Sequence, residues 1–242
     1  MSTYIESFSR FRISLILVLF VLLPSCYTTE EKEEKVVIST HANGEPQIEE
    51  VYQQDGFQKK KVKRISYYPN GQEREVKKIK DDTKTHLTAY YKNGQKKHEG
   101  KLSFEKRDGL WKFWYKNGQQ RQKGHFEVGD KTGEWHYWYR NGEKANITHF
   151  KNGVPHGLVK GWFRNGNLGH KAYFENGKEH GEWQSWHENG KKLGLGRYIQ
   201  GKKDSIWTFW NQDGEMTKKV KYDQGNRVEI LKSANTDTTV SS

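Results

Sequence analysis

Gly109-Leu110-Trp111-Lys112-Phe113-Trp114-Tyr115-Lys116-Asn117-Gly118-Gln119-Gln120-Arg121-Gln122-Lys123-Gly124-His125-Phe126-Glu127-Val128-Gly129 is the stretch that decides the fold. Asn-Gly readily takes up two successive residues at φ > 0, as a tight type I′ hairpin turn demands. Asn117-Gly118 therefore predicts a turn between two short strands. The same step recurs at Asn70-Gly71, Asn93-Gly94, Asn141-Gly142, Asn165-Gly166, Asn189-Gly190 and Asp213-Gly214; the first interval is 23 residues and each later one 24. A fixed period of this length marks a repeat array. The predicted fold is all-β: an elongated antiparallel meander of 24-residue hairpins in a single-layer twisted sheet, advancing about 10 Å per unit.

Written in units that begin at Gly109, Gly133, Gly157, Gly181 and Ser205, the aromatic residues align. The third position holds Trp111, Trp135, Val159, Trp183 and Trp207, and the sixth Trp114, Trp138, Trp162, Trp186 and Trp210. The eighteenth holds Phe126, Phe150, Phe174, Tyr198 and Tyr222. A two-residue turn at each Asn-Gly sets the third position opposite the sixteenth and the first opposite the eighteenth. Trp111 then faces Gly124, Trp183 faces Gly196, Trp135 faces Thr148 and Trp207 faces Val220. Phe126 faces Gly109, and its counterparts face Gly133, Gly157 and Gly181. A large ring laid over a strand glycine covers exposed backbone, which supports this register.

Strand alternation separates two faces. Trp111, Phe113, Tyr115 and Phe126 read as the packed face, and Trp114 with Lys112, Lys116, Arg121 and Lys123 as the other. The spacing from Trp111 to Trp114 would also suit one side of a helix, but only about eight residues separate the flanking breakers. A β-bulge is the other way to bring both indoles to one side.

Composition agrees with a thin sheet. Of 242 residues, 32% are hydrophobic and 30% charged, yet 14% are aromatic, including nine Trp, and 24 are Gly. A disordered chain would have few aromatic residues. The formal net charge is +12, and between Phe57 and His98 there are 13 Lys or Arg against four Asp or Glu. That balance favours anionic partners, with a merely solubilising surface as the alternative.

The N-terminus reads separately. Arg10 and Arg12 precede an uncharged run of 11 residues, Ile13 to Leu23. It is about half the length of a bilayer-spanning helix and suits the apolar core of a signal peptide. Leu23-Pro24-Ser25-Cys26 follows and resembles a bacterial lipobox, which implies cleavage before a lipidated Cys26, the only cysteine of the chain. A buried thiol behind a short membrane anchor is the alternative. With no Asp after Cys26, the resemblance implies an outer-membrane lipoprotein of the bacterial envelope. The expected organisation is a signal peptide over 1–25 and, over 26–56, the lipidated cysteine and an acidic tether, with room for a degenerate first repeat. The repeat array covers 57–231 and a disordered tail 232–242.

The Gly109 to Gly118 pattern, with His156-Gly157 and His180-Gly181 at later joints, resembles MORN-type repeats, in particular the bacterial variant of YwqK-family antitoxins. The resemblance covers about residues 60–228 and implies protein or membrane-surface binding without an active site. Two functions follow as expectations. One is a lipid-anchored, non-catalytic binding or scaffold module for a protein or an anionic envelope polymer or lipid. The other is an antitoxin that neutralises a partner toxin by direct binding.

The candidate binding surface is Trp114, Trp138, Trp162, Trp186 and Trp210 with Arg121 and Lys123, able to receive rings, headgroups or a protein edge. The alternative is that these indoles and the lysine stems cover one another. The turn residues Asn117, Gly118, Asn141, Gly142, Asn165, Gly166, Asn189 and Gly190 are read as structural. His125 and His149 share a unit position, as do His156 and His180. Equivalent residues of adjacent hairpins lie about 10 Å apart, too far for two imidazoles to share a metal at about 2.0–2.1 Å each. No metal, cofactor or enzymatic activity is expected, since no nucleophile motif or phosphate-binding loop is present. Nucleic acid is not an expected partner, because an exported lipoprotein rarely meets it.

Overall fold

The computed structural model describes residues 33–233. The expected signal peptide, Cys26 and residues 234–242 of the expected tail lie outside the described residues. Among those described, seventeen strands form one antiparallel sheet, from β1 (Glu34–Thr40) and β2 (Pro46–Asp55) to β17 (Asn226–Ser233), with no helix. Each strand pairs with the next in sequence, as β7 (Lys106–Trp114), β8 (Gln120–Glu127) and β9 (Asp130–Trp138) do. The sheet is the expected meander of hairpins.

The predicted register holds: Trp111 pairs with Gly124, Gly109 with Phe126, Trp183 with Gly196 and Trp207 with Val220. It arises differently from the prediction. Asn117 has no positive φ, and only Gly118, at +84°, is left-handed. Gly118 N–H donates to Tyr115 O at 3.0 Å and Tyr115 N–H to Gln119 O at 2.8 Å. This is a three-residue loop, a type I turn closed by a left-handed glycine. Such a loop displaces the pairing by one residue, as Trp114 opposite Gln120 shows. Arg121 is then left over as a β-bulge, and from Phe113–Gln122 onward the register returns to that of a two-residue turn. The bulge recurs in later hairpins, where Ala145, Gly169, Leu193 and Thr217 are skipped in the pairing. Type I′ geometry occurs at the opposite ends, at Val128-Gly129 with φ of 50° and 102° and at Asn152-Gly153 with 51° and 78°.

Two further expectations are corrected. Nothing lies within 4 Å of a Cβ built on Gly109 or Gly133, so no ring covers them; their φ values of 68° and 64° are the reason for glycine there. The covered glycines are those of the strand before each Trp. A Cβ on Gly100, Gly124 or Gly196 would come under 3.0 Å from the indole of Trp111, Trp135 or Trp207, respectively. Of the stretch over 26–56 expected to hold an acidic tether with room for a degenerate first repeat, the residues from Glu34 on are built into strands. Asn43-Gly44 closes a hairpin with the same bonds, His41 N–H to Glu45 O at 2.8 Å and Gly44 N–H to His41 O at 2.9 Å. It escaped the count because Asn70 follows 27 residues later, the extra residues lengthening β2 and its partner strand Gln58–Tyr67 to ten each. The acids of this region meet the lysine run, with Glu34 at 2.5 Å from Lys59 and Glu50 at 3.0 Å from Lys61. At the other end β17 runs through Ser233, past the predicted boundary at 231.

The core is one residue deep and lies on one face. Trp111, Trp135 and Trp207 are almost fully buried, with Phe113, Phe126, Val159 and Val220. Each of the three indoles also donates Nε1–H to a carbonyl freed by a bulge beside its glycine: Lys101 O at 2.9 Å, His125 O at 3.0 Å and Arg197 O at 3.2 Å. Where Ala172 replaces glycine opposite Trp183, that indole stays partly exposed and leans instead towards Gly194. Gly124→Ala should therefore cost about 1–3 kcal/mol by overpacking a site with no slack. Thermal unfolding of full-length protein checks this, and an unchanged melting temperature would refute it.

Candidate functional site

Each sixth-position Trp is the last residue of its strand, immediately before an Asn-Gly loop or, for Trp210, the Asp213-Gly214 loop, and each is half-buried. Their backbone is tied to the neighbouring hairpin. Tyr91, Tyr115 and Tyr139 donate their hydroxyls to the carbonyl oxygens of Trp114, Trp138 and Trp162 at 2.9, 2.8 and 2.6 Å. His187 Nε2 lies 3.0 Å from Trp210 O. Asparagines add a second tie at the same end: Asn93 Nδ2 donates to Lys116 O and Asn117 Nδ2 to Arg140 O, both at 2.9 Å. The Asn of the repeat thus serves as a bracket between successive loops as well as a turn former.

The indoles are held as separate rungs. Trp138 stacks on His136 at 5.8 Å between centroids, with 20° between the planes, whereas Trp135 meets Tyr137 at 6.3 Å. These contacts put Trp138 and Trp135 on opposite faces, as alternation predicts, so the bulge does not bring third and sixth positions together. Among the described residues no sixth-position indole touches another. Between the rungs lie lysine stems, with Lys96 Nζ at 5.6 Å from the Trp114 ring and Lys123 Nζ at 5.7 Å from that of Trp138.

This face also holds like charges in opposition. Lys112 pairs directly with Lys123, and Lys160 with Lys171. Like charges directly across a ladder are destabilising. Lys112 has a partial counter-charge, Glu99 at 3.8 Å. Among the described residues Lys160 and Lys171 have no ion pair.

Of the predicted surface, Lys123 stands with the Trp rungs and Arg121 does not. The guanidinium of Arg121 lies 5.8 Å from the Phe113 ring, on the packed face. The physical reason is the bulge: as the unpaired residue of β8, Arg121 departs from the alternation that would aim it beside Trp114.

The packed face contains residues that the aromatic alignment passed over. The guanidinium of Arg107 lies 4.8 Å from the Trp111 ring and 5.3 Å from those of Phe113 and Phe126. Lys131 Nζ sits 4.2 Å from Trp135 and 5.0 Å from Phe150, and Lys203 Nζ 4.5 Å from Trp207 and 5.4 Å from Tyr222. The signal was present as a basic residue two positions before the unit start at 107, 131 and 203. Two imidazoles lie on this face as well. Burial, reinforced by Arg107, Lys97 and Arg121, pushes His98 down to about 4. Burial also lowers His170, three units further on, whose ring lies over Gly161.

The model of the MORN repeat variant matches residues 107–127 and 179–200. No curated protein matches the chain. Among solved structures, the chain is similar to a crystal structure of a Bacteroides fragilis protein of unknown function, at 8% identity, covering 81% of this chain and 97% of that one, with a TM-score of 0.15.

The His98 shift has a definite sign. An unfolded imidazole titrates near 6.5, so from pH ~6.5 down to ~4 the unfolded chain takes up a proton that the folded chain refuses, and stability falls with pH. His98→Gln, which installs the residue found at Gln122 one unit on, removes this contribution. Melting temperatures between pH 6.5 and 4.5 should decline less steeply in the variant than in the wild type. Parallel slopes would show that His98 is not the sensor.

Proposed function

We propose that this is a non-catalytic repeat module that binds an anionic component of the bacterial envelope through its Trp-and-lysine face, held at the membrane by a lipid on Cys26. The observation that carries the reading is the pairing of Lys160 with Lys171 beside the half-buried Trp162. Two ammonium groups opposed on a ladder, without a counter-ion side chain, cost stability in the free protein. An anion bridging them relieves that cost, and the neighbouring indole supplies a flat apolar surface for whatever carries the charge. The matched MORN repeat variant supports a binding role of this kind. The membrane part rests on the apolar run from Ile13 to Leu23 and the lipobox-like Leu23-Pro24-Ser25-Cys26.

The two parts are separately testable. Metabolic labelling with a clickable fatty acid, followed by fractionation, should place lipid on the protein and the protein in the outer membrane, with the label absent in Cys26→Ser. An unlabelled cytoplasmic protein that copurifies with a toxin would establish the antitoxin reading in its place.

For the surface, crosslinking capture from intact cells should recover a partner with the wild type. The Trp138→Ala, Trp162→Ala, Trp186→Ala triple variant and Lys160→Glu with Lys171→Glu should each reduce recovery by at least tenfold. The far-ultraviolet spectrum and melting temperature should change little. Collapse of the sheet in the triple variant would make those indoles structural. Undiminished capture by a folded charge-reversal variant would remove the anion from the proposal.

A further inference from the structure

The packed face repeats one device three times. A basic side chain at 107, 131 or 203 is held over a third-position Trp and an eighteenth-position aromatic ring that meet edge to face. The ring pairs are alike: Trp111–Phe126 at 6.1 Å and 83°, Trp135–Phe150 at 6.2 Å and 75°, Trp207–Tyr222 at 6.4 Å and 76°. Trp183–Tyr198 has the same form, at 6.5 Å and 79°. The equivalent residue there is Glu179, and among the described residues no Lys or Arg lies over either ring.

The backbone at this position is held in the same way in all four units. The turn glycine after each eighteenth-position ring donates N–H to the carbonyl of Arg107, Lys131, Glu179 or Lys203, at 2.9, 3.0, 2.8 and 2.8 Å. Glu179 therefore starts from the place the three cations start from. Its carboxylate has no hydrogen bond or ion pair within the described residues. Burial raises its affinity for a proton, although the charge of Lys203 opposes this. The Glu179 charge adds to burial in raising the proton affinity of the Tyr198 hydroxyl, and a carboxylate at this backbone place is the wrong charge for ring faces that attract cations. A glutamate is also shorter than a lysine or arginine, so no head group of the chain's own reaches over these rings.

We propose that Glu179, Trp183 and Tyr198 form a binding site for an organic cation, an aliphatic ammonium or guanidinium group supplied from outside the chain. The cation takes the place that Lys131 Nζ takes over Trp135. It pairs with the Glu179 carboxylate and lies against the two rings, combining an ion pair with a cation–π contact. Two sources carry this chemistry, the side chain of a lysine or arginine in a partner protein and a free polyamine. The site is on the face opposite the lysine pairs, so its ligand is of opposite charge to theirs.

The test uses the full chain and follows the indole N–H resonance of Trp183, assigned by loss of its signal in Trp183→Phe. Putrescine and Nα-acetyl-lysine methylamide are titrated separately, with n-butanol as the neutral control. A saturable shift of the Trp183 signal with either amine, and none with butanol, is expected; the tighter of the two identifies the source. Glu179→Gln should weaken binding at least tenfold. Glu179→Lys restores the device of the sibling units, so it should abolish binding and raise the melting temperature by about 2–4 °C. The proposal fails if neither amine gives saturation, if butanol acts equally, or if folded Glu179→Lys still binds. Failure here leaves the Trp-and-lysine face untouched, because that face is read out by capture and this one by Trp183.

Discussion

An indole pressed onto a strand glycine, with its N–H returned to the carbonyl beside that glycine, is the contact on which this sheet depends. A single-layer sheet has no second layer to bury its apolar face, so its side chains must cover its own backbone. Trp111, Trp135 and Trp207 do so by lying across the preceding strand over Gly100, Gly124 and Gly196. The bulge beside each glycine releases the carbonyl that takes the indole N–H. Polar satisfaction and apolar burial are met by one side chain, as a buried Trp requires. Where Ala172 occupies the glycine's place, Trp183 has no indole N–H bond among the described residues and is only partly buried, and the site proposed for a cation arises at this break in the pattern.

The two ends of each hairpin solve different problems. At one end a type I′ turn joins strands in the simplest way, and its glycine N–H is spent on the neighbouring unit. At the other, a three-residue loop and a compensating bulge carry the Asn-Gly step, and Tyr hydroxyls and Asn amides bridge to the next loop. At this end side chains make the bridge between successive loops, the rings of Tyr91, Tyr115 and Tyr139 reaching the Trp carbonyls and the shorter Asn amides the loop carbonyls. Phe163 stands at the bridging position without a hydroxyl, and among the described residues no such bond reaches Trp186.

The two faces carry their cations differently. On the packed face Arg107, Lys131 and Lys203 are held over rings and are part of the fold; burial lowers the affinity of Lys131 for its proton, as do the charges of Arg107 and Arg121. On the other face Lys160 and Lys171 oppose each other without compensation. Net charge alone does not distinguish these uses. In the N-terminal units the lysine run is answered by acids on β1 and β2, which reduces the free positive charge there.

The period of the Asn-Gly steps, by itself, determined the hairpin array, the strand register and the separation of Trp111 from Trp114, because alternation and turn spacing are local rules. It reached the correct register although it mistook the loop, since the bulge at Arg121 cancels the extra loop residue. Bulges depend on how neighbouring strands pack, and no dipeptide encodes them. Only the tertiary structure could therefore decide that Arg121 leaves the Trp face, that the glycines under the rings belong to the preceding strand, and that the acidic stretch from Glu34 joins the sheet. The unit position of Glu179 was legible, but only the structure set it where its repeat siblings hold a cation, because that likeness lies in ring geometry across adjacent strands.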